Sequence, residues 1–462
     1  MSIHAAISPG GEAARRFERV VNGRGVFVTT GQQPGLFGGP LYTWTKAVSA
    51  LALANAIESH TGVPAAPLFW AATDDADYAE TAQTFVARAG ELVALRASLA
   101  PPGGTPMSLA PIGPLEDAFA RLAEACASAP DPRAMAAARD AYGDSARTVG
   151  DSFVRLLRAL LEPLGIPVLD ASHPAVAAAS RPILERALAS AVTVDSALTT
   201  RTAALRAKDL EPQVELVPGL SLVFARDGRI KRRLPVGASD IAHATILTPN
   251  VLLRPIVEQA ILPTVAYVAG PGELAYFAQV GAAAEALDVA PPLAVPRWSA
   301  TIVEPQVRDL LAKHGTNIEA LAVAGQLEGR LARDAMSPDA ATALEGVRVA
   351  IRSLPGQLNG DAAALGLNGA IEGAMQGLQH RMDRLERRLV AGIKRREVAV
   401  MRDVATLRAS LRPGGKPQER MLNALPFLAR HGIETLDALA RAAAPHADAL
   451  LQGDNLEPVV IT

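Results

Sequence analysis

Residues 25–59 read GVFVTTGQQPGLFGGPLYTWTKAVSALALANAIES, and this stretch decides the fold class. Its first part, residues 25–31, is rich in β-branched side chains and ends in glycine, which predicts a buried strand. From about Pro40 to Ser59 the apolar side chains recur at helical spacing, as Leu41, Trp44, Val48 and Leu51. A strand that passes through a glycine turn into a helix is the first half of a βαβ unit, so the sequence predicts an α/β domain.

Three later segments repeat this pattern. Buried strands are predicted at residues 67–73, 166–169 and 264–270, and helices lie before the second and after the third of these. Strands that alternate with helices favour a largely parallel sheet. Residues 80–145 and 172–250 interrupt the alternation and are interpreted as insertions. The second of them contains residues 220–233, LSLVFARDGRIKRR, whose Asp-Gly pair is typical of a β-hairpin turn.

After about residue 304 the chain is nearly all helical. Its clearest feature is a heptad seam, formed by Ile371, Met375, Leu378, Met382, Leu385 and Leu389. The pattern continues less strictly to Pro413 and predicts a helix about 60 Å long. Such a helix needs a partner, so we expect an antiparallel coiled coil within the chain or across a dimer. The predicted domains are an N-terminal arm (1–24), a sheet core (25–303) and a helical domain (304–462).

Composition excludes several classes of protein. The 462 residues are 49% hydrophobic and 20% charged, with a formal net charge of -2. This balance argues against disorder and against a surface built to neutralise nucleic-acid phosphates. The single cysteine, Cys126, rules out a disulfide framework and a cysteine-rich zinc site, and the scattered histidines predict no metal site. Without a signal segment or an apolar run of about 20 residues, we expect a cytoplasmic protein with no membrane partner.

The densest candidate site is the turn between the first strand and its helix. Glycines there allow the backbone to approach a ligand, and a helix opening at Gly39-Pro40 would direct free N–H groups at an anion. Lys46, two turns into the helix, could add a charge to the same anion. The alternative is a glycine turn that serves only tight packing. The adjacent amides of Gln32 and Gln33 favour a ligand, because a packing turn does not need them.

Two further candidates follow other strands, where ligands bind in open α/β sheets. Asp74, Asp75 and Asp77 could hold an ammonium group, sugar hydroxyls or a magnesium ion, or they could merely cap a helix. The turn 270–273 (Gly-Pro-Gly-Glu) precedes a helix, and its glutamate could simply complement the helix dipole. Arg297 and Ser299 form a fourth candidate at the end of the sheet core.

Five motifs give the chain a family resemblance. They are TGQQPGLFGGPLYTWTKAVSALALA from Thr30, PLFWAATDDADYAE from Pro67, VLLRPIVEQAILPTVAYVAGPGELAYFAQ from Val251, PLAVPRWSATIVEP and KPQERMLNALPFLARHG. In this order, over roughly residues 25 to 435, they resemble the bacillithiol-synthesis cysteine ligase family, BshC. The resemblance implies a Rossmann-like core with connective insertions, similar to class I aminoacyl-tRNA synthetases, and a C-terminal coiled coil through which the protein forms a homodimer.

The resemblance also implies an activity: an ATP-dependent ligase that adds cysteine to glucosaminyl-malate, through a cysteinyl-adenylate and with magnesium accompanying ATP. The catalytic residues would be Lys46, Asp74, Asp75 and Asp77. The residues that bind the nucleotide and line the pocket would be Thr30, Gly31, Gln32, Gln33, Gly35, Gly38, Gly39, Pro40, Tyr42, Gly270, Pro271, Gly272, Glu273, Tyr276, Arg297 and Ser299. Two alternatives remain open at this point. One is another nucleotide-dependent amide ligase or nucleotidyl transferase, and the other is a non-catalytic, dimeric coiled-coil protein that binds a ligand.

Overall fold

The computed structural model describes residues 3–98, 100–127, 129–239, 241–242, 245–454 and 459–461. The chain folds into two compact units. The first comprises Met1–Val86, Val93–Thr301 and Glu419–Ile461, and the second comprises Ala87–Leu92 and Ile302–Gln418.

The strands, in chain order, are β1 Val26–Gln32, β2 Ala65–Ala71, β3 Gln83–Arg88, β4 Glu91–Arg96, β5 Val168–Asp170, β6 Leu220–Asp227, β7 Ile230–Pro235, β8 Ile246–Pro249, β9 Thr264–Ala269, β10 Ala294–Pro296, β11 Ala300–Ile302 and β12 Val459–Ile461.

The helices that precede residue 302 all belong to the first unit. They are α1 His4–Ile7, α2 Gly11–Asn22, α3 Leu41–Thr61, α4 Tyr78–Thr81, α5 Glu116–Ala125, α6 Arg133–Tyr142, α7 Val149–Leu161, α8 Pro174–Ala189, α9 Ala191–Arg206, α10 Arg254–Ile261 and α11 Pro271–Ala286. The remaining helices are α12 Pro305–Lys313, α13 Gln326–Asp334, α14 Pro338–Ala364, α15 Asn368–Arg396, α16 Val398–Leu411, α17 Gln418–Met421, α18 Leu425–His431 and α19 Thr435–Gln452. Short 3₁₀ turns lie at Leu36–Gly38, Glu162–Leu164, Glu319–Leu321 and Pro413–Gly415.

A five-stranded sheet with the order β10-β9-β1-β2-β5 forms the centre of the first unit. All its neighbouring strands run parallel, which confirms the predicted α/β class. From β1 the chain proceeds to β2 and β5 on one side, and then continues with β9 and β10 on the other. The strand order therefore reverses between β1 and β9, and in open α/β sheets ligands bind at such a reversal, beyond the carboxyl ends of the strands.

Helix α3, which follows β1, is buried on nearly every face. It packs against β1, β2 and β9 of the sheet and along α19. A helix that is covered on both sides can be apolar all round, and the run from Ala47 to Ala54 is accordingly apolar except for Ser49. The sequence assigned α19 to the C-terminal helical domain, whereas the structure groups residues 419–461 with the sheet because α19 covers α3.

The N-terminal residues, expected to form an arm, pack into the same unit. Ile7, Phe17 and Val20 are buried in a cluster with Phe27 and Trp70. Removing their apolar surface from water stabilises the fold by about 25 cal/mol per Å² buried, which explains why α1 and α2 lie against the sheet.

The insertions contribute further strands. The predicted Asp-Gly hairpin is confirmed: β6 and β7 pair antiparallel, and β8 completes a sheet with the order β7-β6-β8. Leu184, Leu198, Val223 and Val280 belong to the apolar core in this part of the unit. The hairpin of β3 and β4 was not predicted, because residues 80–145 were interpreted only as an insertion.

The second unit contains the coiled coil. Helices α14 and α15 pack against each other, and Arg396 at the end of α15 donates to the carbonyl of Ala335, just before α14, at 3.1 Å. The two helices are therefore antiparallel partners within the chain. The predicted helix of about 60 Å is in fact two helices, because Glu397, with φ -85° and ψ 54°, leaves helical geometry between α15 and α16.

Part of the heptad seam remains in contact with solvent. Leu378, Leu385 and Leu389 are 39%, 46% and 37% exposed, although α14 is nearly as long as α15. The core of this unit lies elsewhere, around Val307 and Leu407 on α12 and α16. No helix among the residues described is long and apolar enough to cross a membrane.

Candidate active site

The ammonium group of Lys46 lies where the strand order reverses. Its Nζ contacts the Gly31 carbonyl at 2.9 Å, Gln32 Oε1 at 3.0 Å and Glu273 Oε2 at 2.5 Å. Gly31 and Gln32 end β1, while Glu273 lies in the first turn of α11, directly after β9. Three acceptors match the three N–H donors of an ammonium group, so Lys46 is satisfied within the protein.

Lys46 and Glu273 form a buried ion pair. The Lys46 residue is 3% exposed, and the Glu273 side chain is 19% exposed. Burial lowers the pKa of Lys46, and the adjacent carboxylate of Glu273 opposes this effect. Burial alone would raise the pKa of Glu273, but Lys46 and Arg254 outweigh it and hold that pKa below its usual value. Each group therefore favours the charged form of the other.

A second layer of polar groups lies behind this pair. Tyr267 on β9 donates to Glu273 Oε1 at 2.7 Å, and Arg254 at the start of α10 donates to the Tyr267 hydroxyl at 3.0 Å. Arg254 also contacts the Tyr276 hydroxyl at 3.1 Å and Glu258 Oε2 at 3.3 Å. Burial raises the pKa of Glu258 to about 7, against the attraction of Arg254. Sequence analysis missed Arg254, Glu258 and Tyr267, although all three lie in the motif that begins at Val251.

The Gly38 and Gly39 amides of the glycine turn donate hydrogen bonds within the turn itself. The amide of Gly38 donates to the Gly35 carbonyl at 3.0 Å, and that of Gly39 donates to the Leu36 carbonyl at 3.1 Å. Sequence analysis expected these amides to face an anion, but helix α3 begins only at Leu41, whose amide donates to the Leu422 carbonyl at 2.8 Å. A 3₁₀ turn separates the glycines from α3 and uses their donors locally.

Two buried side chains hold this turn in place. Tyr142 donates its hydroxyl proton to the Gly35 carbonyl at 3.0 Å, and Asn423 donates to the carbonyls of Phe37 and Gly39 at 3.0 Å each. Gly38 has a φ of +84°, and a Cβ there would lie 2.7 Å from Trp44 Cζ2, so only glycine fits. Pro40 follows as the N-cap residue of α3.

The remaining predicted residues of β1 and α3 have defined places. Thr30 donates to the Val268 carbonyl at 2.8 Å and so links β1 to β9. A Cβ on Gly31 would lie 2.8 Å from the Trp70 carbonyl oxygen, which explains the glycine. Gln32 Nε2 donates to the Tyr42 hydroxyl at 3.1 Å, and burial raises the pKa of Tyr42 to about 12. Gln33, directly after the strand, is half-buried.

Arg297 and Ser299 form a second group beside the first. Arg297 makes a bidentate ion pair with Glu419, one contact being 2.7 Å long, and Ser299 donates to Glu419 at 2.7 Å. Arg297 also donates to Thr45 Oγ1 at 3.2 Å. A Cβ on Gly270 would lie 3.7 Å from Arg297 Nε and 3.9 Å from Lys46 Cε, so this glycine separates the two cations. Pro271 and Gly272 are exposed in the first turn of α11.

The acidic residues follow β2 at the same edge of the sheet. Ala72 donates its amide to the Gln32 carbonyl at 3.0 Å, which connects this loop to the end of β1. Lys231 on β7 contacts Asp74 Oδ2 at 3.4 Å and the Asp74 carbonyl at 3.0 Å. Burial raises the pKa of Asp75, and Asp77 caps α4 by accepting from the Glu80 amide at 3.3 Å. The capping interpretation thus holds for Asp77. Lys231 was not predicted as a site residue.

The structure therefore brings the predicted residues of β1, α3, β2, α11 and β10 to one edge of the parallel sheet. No set of three or more His, Cys, Asp or Glu side chains is placed to hold a metal ion in the described ranges. Cys126 is buried, and burial raises the pKa of its thiol to about 11, which makes it a poor nucleophile.

The fold and this edge define a Rossmann-like α/β protein with an added helical coiled-coil unit. The bacillithiol biosynthesis BshC family has this organisation: its N-terminal Rossmann-like domain matches residues 2–240 and 238–298, and its C-terminal coiled-coil domain matches residues 300–449. The chain belongs to this family.

Several bacterial proteins are similar to this chain. A relative from Solibacter usitatus is 31% identical over 88% of this chain and 80% of its own. Relatives from Salinibacter ruber and Geobacillus kaustophilus are 30% and 28% identical, over 90% and 96% of this chain and 80% and 86% of their own. Each is named as a proposed cysteine ligase, BshC. This chain is therefore an enzyme of the ligase class.

Proposed function

We propose that this ligase uses ATP to join cysteine to glucosaminyl-malate, the last step of bacillithiol biosynthesis, through a cysteinyl-adenylate. Family membership supports the pathway. The observation that carries the site assignment is the buried Lys46–Glu273 pair at the reversal of strand order, where open α/β sheets bind their ligands.

In the first step a carboxylate oxygen of cysteine attacks the α-phosphorus of ATP, and pyrophosphate leaves. Lys46 stabilises the negative charge that develops on the phosphoryl oxygens. Of its three partners, Gln32 is the one that can yield to a ligand, because its side chain is neutral and half-buried, whereas Gly31 is fixed by the sheet. A phosphate oxygen would replace Gln32 Oε1. Magnesium would arrive with the nucleotide, since it takes most of its ligands from phosphates and water.

In the second step the amine of the acceptor attacks the activated carbonyl carbon. The new C–N bond forms, AMP leaves, and the amine loses a proton. Asp75 is the best candidate base at this edge, because burial raises its pKa and so makes its carboxylate a better proton acceptor. Asp74 and Asp77 would help to hold the amino sugar, with Lys231 beside Asp74 limiting the repulsion among the three acids.

The same proposal includes a cytoplasmic homodimer joined through the coiled coil. Its support is the apolar seam of α15, where Leu378, Leu385 and Leu389 remain more than a third exposed after α14 has packed. A second subunit would remove this apolar surface from water.

The direct test uses the purified protein with ATP, cysteine and glucosaminyl-malate. We expect mass spectrometry to show the cysteine amide of glucosaminyl-malate, together with one pyrophosphate and one AMP per product. Serine in place of cysteine, at the same concentration, is the matched control. Release of orthophosphate and ADP instead would replace the adenylate by an acyl phosphate.

The test in cells compares thiols in a strain with and without this protein. Accumulated glucosaminyl-malate without bacillithiol is the expected result. An unchanged thiol pool, together with an inactive purified protein, would reject the proposed substrates and favour a ligase with another amine acceptor.

A further inference from the structure

A buried polar chain runs behind the proposed phosphate site and ends at Lys46. It begins at Arg254, whose side chain is 14% exposed, and passes through Tyr267, which is 1% exposed, to Glu273. Its links are the hydrogen bond from Arg254 Nη2 to the Tyr267 hydroxyl at 3.0 Å, the bond from that hydroxyl to Glu273 Oε1 at 2.7 Å, and the ion pair of Glu273 with Lys46 at 2.5 Å.

The chemistry of these groups fixes the direction of each bond. Arginine has only donors, so the Tyr267 oxygen must accept from Arg254. The single hydroxyl proton of Tyr267 is then available for Glu273 Oε1. With Oε1 held in this way, Oε2 faces the Gly270 amide at 2.8 Å and Lys46 Nζ.

We propose that Tyr267, oriented by Arg254, is a positioning residue that fixes the ammonium group of Lys46 through the Glu273 carboxylate. The functional part of this inference rests on the proposed function, in which Lys46 acts on the phosphate. The geometric part, from Tyr267 to Lys46, does not depend on any reaction.

Tyr276 provides a matched control within the same cluster. Its hydroxyl also accepts from Arg254 Nη2, at 3.1 Å, but the hydrogen bond to Glu273 comes from Tyr267. Tyr276→Phe and Tyr267→Phe therefore remove the same chemical group from the same arginine. Only Tyr267→Phe should release the carboxylate that faces Lys46.

The first experiment measures the pH dependence of Lys46 modification by an amine-directed reagent, quantified by mass spectrometry on the folded protein. The groups that influence Lys46 are Glu273, Arg254, Arg297 and the Tyr42 ring, 6.0 Å from Nζ. Losing the nearby negative charge, or letting the freed carboxylate move away from Lys46 Nζ, favours the neutral amine. We expect the Glu273→Gln profile to move to lower pH, Tyr267→Phe to move in the same direction by less, and Tyr276→Phe to coincide with the wild type. A Tyr267→Phe profile that matches the wild type, or an equal shift in Tyr276→Phe, would overturn the proposal.

The second experiment measures cysteine-dependent pyrophosphate release. Tyr267→Phe should lower kcat about tenfold or more, the effect of one hydrogen bond to a charged group, with KM for cysteine little changed. In a Glu273→Gln background the same substitution should have no further effect, because its path to Lys46 is already broken. Additive effects would contradict the proposal. An inactive wild type would count against the proposed function alone, because the modification profiles still decide the positioning role.

Discussion

Breaking the Lys46–Glu273 pair should destabilise the sheet unit, and by an amount that depends on which partner is removed. Glu273→Gln leaves an ammonium group that is 3% exposed without its counter-charge, although the Gly31 carbonyl and Gln32 remain. Removing one partner of a buried pair costs about 3–5 kcal/mol. Because two of the three acceptors stay, we expect the lower end, about 3 kcal/mol, or roughly a hundredfold in the unfolding equilibrium.

Lys46→Met should cost less, about 1–3 kcal/mol. The carboxylate of Glu273 keeps hydrogen bonds from the Gly270 amide and the Tyr267 hydroxyl, and Arg254 remains 3.8 Å away. The double variant carries neither charge, so its loss should fall short of the sum of the single losses by at least about 1 kcal/mol.

Tryptophan fluorescence during urea unfolding can isolate this effect. All three tryptophans, Trp44, Trp70 and Trp298, are buried in the first unit, so the signal reports that unit and not the coiled coil. A Glu273→Gln protein within about 0.5 kcal/mol of the wild type, or strictly additive losses, would refute the description of this contact as a buried ion pair.

Three further predictions concern other parts of the molecule. Because Glu258 has a pKa raised from 4.5 to about 7 by burial, the folded protein binds a proton there that the unfolded chain releases, and stability should fall as pH rises through this window. Relative to Glu258→Gln, the wild type should lose about 2.5 kcal/mol between about pH 5 and about pH 8. Parallel urea-unfolding profiles for the two proteins would disprove this. Asp75→Asn keeps a side-chain oxygen that can accept from the Ala76 and Asp77 amides. Its melting temperature should therefore stay within a few degrees of the wild type while turnover drops sharply. A much lower melting temperature would mark Asp75 as a structural residue. The double substitution Leu385→Asp and Leu389→Asp should convert a dimer of the 48.1 kDa chain to monomer or aggregate, as measured by light scattering. The control Gln376→Asp, at an exposed position of the same helix, should leave the dimer intact. A wild-type monomer at micromolar concentration would contradict the dimer.

The sequence predicted those elements whose pattern lies within one continuous segment of the chain. β1, its glycine turn and α3 follow each other directly, so alternation and helical spacing were enough to predict them. The acidic loop and the turn 270–273 could likewise be placed at one edge, because parallel strands end on the same side of a sheet.

Site contacts between segments that lie far apart in the chain could not be predicted from the sequence. Glu419 pairs with Arg297 across 122 positions, and Lys231 reaches Asp74 across 157. No local spacing indicates such pairs. The internal bonding of the Gly38 and Gly39 amides was also hidden, because it depends on a short 3₁₀ turn and on Tyr142 and Asn423, which the sequence gives no reason to place there.

The sheet unit is built from chain segments that are far apart in the sequence, so the ribosome synthesises its parts at different times. The ribosome completes β1, β2 and α3 early, but α19, which covers α3, is synthesised only after the entire coiled-coil unit. Until then the outer side of α3 lacks its cover and presents apolar surface to water, a condition in which nascent chains aggregate or engage chaperones. The second unit, 302–418, is finished before the first can close. A truncated chain ending at residue 418 should therefore contain a folded coiled coil together with a protease-sensitive sheet unit, whereas the full-length chain should lack that sensitivity.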